Sequence, residues 1–97
     1  MSEYLLLMHV DAVDEAAAAW PAYLDGLAEA GRLRGGSSLG DGACFRKDGA
    51  VRPSTDHLAG FIRIAADSLE DAGSCLAGNP VYEAGGTVEI RLLLEDE

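Results

Sequence analysis

The 97-residue chain has little of several things that would narrow its function. Cysteine occurs only at Cys44 and Cys75, with no C-x-x-C pair and no histidine-rich neighbourhood. Neither a zinc site nor a disulfide framework is signalled, so no metal and no other cofactor is expected. Cations are scarce: 7 Lys and Arg against 17 Asp and Glu give a net charge of −10. That balance argues against nucleic acid or an anionic membrane surface as a partner. A long apolar run is missing too. The longest, Tyr4–Val10, is too short to span a bilayer and contains His9, and Glu3 stands where a signal peptide would be basic. No membrane contact, and a cytoplasmic location with both thiols reduced, are therefore expected. The glycine-rich stretch Gly35–Gly42 lacks the Lys-Ser/Thr of a phosphate-binding loop and contains no G-x-G-x-x-G. Glycine there reads as freedom for a turn or bulge.

What is present is the composition of one globular domain, 48% hydrophobic with a mean hydropathy of +0.06. A domain this short buries only about 60–65% of the surface its unfolded chain exposes, so association would supplement a thin core. The charge is unevenly spread. Arg32, Arg34, Arg46, Lys47, Arg52 and Arg63 stand against Asp41, Asp48 and Asp56, a local balance of +3 that leaves −13 for the rest. These cations either pair with acidic helices or a second subunit, or hold a small anionic ligand.

Tyr4–Val10 has the length and continuity of a central strand. Asp11 or Asp14 can cap the helix that follows, whose buried face is Trp20, Tyr23, Leu24, Leu27 and Ala28. Pro21 predicts a kink or restart near Trp20, and Gly31 a stop. Arg32–Arg34 opens a second strand, Ala43–Arg46 suggests a short third piece, and Lys47–Ala50 a hairpin turn through Asp-Gly. Leu58–Ala66 reads as a strand with Leu58, Ile62, Ile64 and Ala66 on one face and Phe61 and Arg63 on the other. Asp67–Glu70 resembles a capping box for a helix with Leu69, Ala72 and Leu76 inward, ended by Gly78 and Pro80. Val88, Ile90, Leu92 and Leu94 alternate with Thr87, Glu89 and Arg91 in a last strand, before a solvated tail at Glu95–Glu97.

Two right-handed βαβ units of this length are most simply satisfied by an α+β fold: a ferredoxin-like βαββαβ antiparallel sheet with two helices on one face. The other face then has no cover within the monomer. A homodimer joining two sheets face to face would bury it.

Several segments resemble the YciI-like (YCII-related) family, in particular its DGPF branch. They are Tyr4-Leu5-Leu6-Leu7, Pro21-Ala22-Tyr23-Leu24 leading to Ala30-Gly31-Arg32-Leu33, and His57-Leu58-Ala59-Gly60-Phe61 followed by Asp67–Ala72. Asn79-Pro80-Val81-Tyr82 with Ala84–Ile90 completes the set, and the segments cover most of the chain in the right order. The resemblance implies a ferredoxin-like monomer, a dimeric α+β barrel and a cleft of small-molecule size. It also implies proximity to transcription regulation, since relatives of the DGPF branch occur fused to or encoded beside sigma factors. Two departures stand out. Tyr23 occupies a position where many such proteins carry a histidine suggested to pair with an aspartate in catalysis. The DGPF motif is missing, and Val51–Asp56 retains only an Asp.

If the first and third strands are antiparallel neighbours, His9 meets His57 and Asp56 at the strand ends. An imidazole beside a carboxylate suits a general base, because imidazoles ordinarily titrate near neutral pH. Tyr23, Arg32, Arg34 and Tyr82 are the candidate ligand-binding residues, the arginines for a carboxylate-bearing ligand. Trp20 and Tyr23, at helical spacing, also read as core. Two functions follow as expectations: a small-molecule-binding protein, with His57 or His9 as base on a small anionic substrate if it is an enzyme, or a non-catalytic regulatory module acting through protein contacts.

Overall fold

The computed structural model describes residues 1–51 and 56–94. Arg52 and the acidic tail at 95–97 lie outside the described residues. The elements run β1 (Ser2–His9), α1 (Trp20–Glu29), β2 (Leu33–Ser38), β3 (Leu58–Ala66), α2 (Leu69–Ser74), α3 (Pro80–Glu83) and β4 (Val88–Leu93). The four strands form one antiparallel sheet in the order β2-β3-β1-β4, the ferredoxin-like α+β arrangement. No helix among the described residues is long and apolar enough to cross a membrane.

Alternation in β1 divides the sheet into two faces. Tyr4, Leu6 and Met8 are buried, and their neighbours Ile62, Ile64 and Ala66 on β3 join Tyr23 and Leu27 of α1, Ala72 of α2 and Val81 of α3 in one core. Leu6 and Ile64 are fully enclosed; truncating either to alanine would cost about 2–5 kcal/mol. The opposite face carries Leu5 and Leu7 of β1, Phe61 of β3 and Leu93 of β4, all half-buried. The thinnest dimension is only 19 Å, the depth of a helix layer on a sheet, so among the described residues no second layer covers these side chains.

Local chemistry explains where the structure departs from expectation. Asp11 and Asp14 cap no helix. Asp11 instead accepts the Thr87 amide and hydroxyl, at 2.8 and 2.6 Å, and a 3₁₀ turn at Ala17–Ala19 leads into α1 without a side-chain cap. Pro21 sits in the first turn of α1, where its missing N–H is no loss, so the helix restarts there rather than kinking. Gly31, at φ +73°, provides the expected stop. Ala43–Arg46 forms no strand; a bend runs through Asp48-Gly49, with Gly49 at φ +87°. Leu69 is 59% exposed rather than inward, because the cap of α2 is Ser68, accepting from the Asp71 amide at 3.0 Å, and this phases Ala72 to the core. Pro80 does not merely end α2: it begins α3, capped by buried Asn79, whose Oδ1 accepts from Val81 and Tyr82. Leu92 and Leu94 are exposed.

Candidate functional site

Two places on this scaffold gather chemistry. At the first, β1 and β3 run antiparallel with a register shift after Met8 that sets His9 opposite Leu58. The rings of His9 and His57 therefore meet edge to face, centroids 5.1 Å apart and planes at 80°. On the other flank, β4 places Glu89 opposite Leu7, and its Oε1 lies 3.3 Å from His9 Nε2. Arg91 donates to the other carboxylate oxygen at 3.1 Å. Arg91 first, and His9 second, hold the Glu89 carboxyl below the usual range. The row Glu89–His9–His57 lies on the sheet face that the helices leave open. An imidazole with a carboxylate at its ring nitrogen is the arrangement of a general base. Among the described residues no group of three or more His, Cys, Asp or Glu is placed to hold a metal ion.

The remaining expected site residues lie elsewhere. Asp56 is exposed, immediately before His57. Tyr23 is buried and donates its hydroxyl to the Cys75 carbonyl at 2.7 Å; burial pushes its phenol above the ordinary value. Arg32 makes a two-pronged pair with Asp71, both contacts at 2.9 Å, and the arrangement holds the Asp71 carboxyl down at about 2. Arg34 donates to the carbonyls of Gly31 and Leu33, Arg46 to that of Ala50, and Arg63 to Glu3 at 3.0 Å. These arginines of the central segment are thus engaged within the chain. Tyr82 is 49% exposed, tied by its amide to Asn79.

The second place is a cleft of about 510 Å³ between α1 and the β2–β3 pair. Its walls are Trp20 and Leu24 of α1 with Met8, Leu33, Ile62 and Val81, all belonging to the helix-covered side. Gly36 and Gly60 bare its floor. Both are required by close strand approach: a Cβ on Gly36 would come within 2.6 Å of the Phe61 carbonyl oxygen, and one on Gly60 within 2.9 Å of that of Ser37. Without side chains there, the space beneath α1 is left unfilled. Glu15, Ser37 and Ser38 are the polar residues of the lining, and Glu15 Oε2 accepts the Trp20 indole N–H at 2.6 Å. None of His9, Tyr23, Arg32, Arg34, Asp56, His57 and Tyr82 lines this cleft.

Sequence reasoning therefore brought the two histidines together and, through the family resemblance, expected a cleft, but it overlooked Glu89 and the residues that line the cleft. Glu89 was legible in principle, since it is a polar alternate of β4 and any β1–β4 pairing sets it near the end of β1. The lining of the cleft needed the pairing of β2 with β3, which sets Gly36 opposite Ile62 and Ser38 opposite Gly60, so that Gly36 and Gly60 are diagonal neighbours on one face. Trp20, read as core, packs against the core and walls the cleft as well. A family model described as the YCII-related domain matches residues 3–95. No curated protein matches the chain.

Proposed function

Because the chain belongs to the YCII-related domain family, we propose that it is a small-molecule-binding protein whose ligand sits in the cleft between α1 and the β2–β3 pair. The observation that carries this is the cleft itself, a concave and mainly apolar site with a few converging polar groups. Trp20 is the chain's only tryptophan and forms one wall, so its emission reports occupancy directly. A chemically diverse set of small molecules titrated against that emission is expected to yield saturable changes. A set in which every member leaves the emission unchanged contradicts the proposal.

The working form is a homodimer joined through the open sheet faces, completing a dimeric α+β barrel. Half-buried Leu5, Leu7, Phe61 and Leu93 on an uncovered face support it.

A second reading is favoured by the 3.3 Å approach of Glu89 to His9 and the ring contact with His57. Here the row acts as a general base in the space between paired sheets, with Asp56 nearby, on a small anionic substrate. Against an anion, the arginines seen in the central segment are bonded within the chain and none lines the cleft. A non-catalytic regulatory role through protein contacts is compatible with the cleft, as the sensing part of such a module.

A further inference from the structure

Building on the proposal that the cleft binds a small molecule, we propose that its ligand is a compact cationic amphiphile: an apolar body carrying a protonated amine, with the ammonium seated on Glu15. Among the described residues lining the cleft, Glu15 is the only one that bears a charge. Its carboxylate is fixed from one side, Oε2 accepting the Trp20 indole N–H at 2.6 Å. Oε1 has no partner among the described residues. An ammonium bound to it sits at the Trp20 wall of the cleft, where it perturbs the indole directly. The Glu15 carboxylate, an acceptor only, thus favours groups that donate. The apolar walls, Leu24, Leu33, Met8 and Ile62, fit the body of the molecule. The net charge of −10 gives the same preference at longer range, attracting cations and repelling anions.

The test uses three optically silent probes that share one apolar body: 2-cyclohexylethylamine, 2-cyclohexylethanol and cyclohexylacetate, each titrated against Trp20 emission. The amine is expected to bind about three- to tenfold more tightly than the alcohol, a range suited to an ion pair at a partly solvated mouth. The acetate is expected to bind most weakly, and added salt to shrink the amine's advantage. In Glu15→Gln, which keeps an oxygen for the indole N–H and removes the charge, amine and alcohol are expected to bind within twofold of each other, with alcohol affinity unchanged. If the amine and alcohol bind the natural chain equally, or the acetate binds best, cation selection is overturned while cleft binding stands. If no probe produces a saturable change, the cleft proposal fails and this one with it.

Discussion

Tyr23 donates its hydroxyl to the carbonyl of Cys75 across 2.7 Å, tying the middle of α1 to the end of α2. The bond is buried, so removing the donor strands an acceptor away from water. Tyr23→Phe is expected to cost about 1–3 kcal/mol, lowering Tm by at least roughly 5 °C for a domain of this size. Calorimetry checks the first part. Because Tyr23 does not line the cleft, ligand affinity in Tyr23→Phe is expected to match that of the natural chain. An unchanged Tm with weakened binding would return Tyr23 to the ligand-binding role expected from sequence.

Arg32 and Asp71 give a pH signature. The guanidinium holds the Asp71 carboxyl at about 2, below its ordinary 3.8, and the Asp67 amide donates to the same carboxylate at 2.9 Å. A carboxyl whose folded value is depressed stabilises the fold above its unfolded value, and that stability is lost as pH falls toward the folded one. The stability difference between the natural chain and Asp71→Asn is therefore expected to be full above about pH 4 and to shrink between pH 4 and pH 2. Urea melts across that interval measure it. A constant difference would mean that the pair is not coupled to folding.

The open sheet face predicts the oligomeric state. Sedimentation is expected to return twice the chain mass of 10.1 kDa. Leu7→Arg places a charge at the centre of that face, between Phe61 and Glu89. It is expected to give a monomer with an unchanged far-ultraviolet spectrum. A monomeric natural chain contradicts the dimer.

His57 separates the two functional readings. If the ligand sits in the cleft, on the helix side of the sheet, His57→Ala is expected to leave cleft affinity within twofold. A loss of more than tenfold, or of a discovered turnover, would instead assign function to the Glu89–His9–His57 row.

The strand order, the helix-covered core and the meeting of His9 with His57 were all legible because they follow from period-two alternation and antiparallel topology, which act on nearby or adjacent strands. Arg32 was misleading as a ligand residue for a different reason. A cation in the middle of the chain looks available until the fold brings Asp71, 39 positions away, against it. The position of the cleft was hidden because it is defined by what is missing. Gly36 and Gly60 withhold side chains from one patch beneath α1, and only strand pairing shows that the two gaps coincide. The strand expected at Ala43–Arg46 did not form, and Phe45 stands 90% exposed.

The central claim is that the cleft is the binding site, and backbone amide chemical-shift mapping of the tightest ligand from the emission screen tests it most directly. The shifts are expected to concentrate at Trp20, Leu24, Leu33, Gly36, Ser38 and Gly60, around the cleft between α1 and the β2–β3 pair. Shifts confined to His9, His57, Glu89 and Arg91 on the open face, with the cleft amides unmoved, would contradict it.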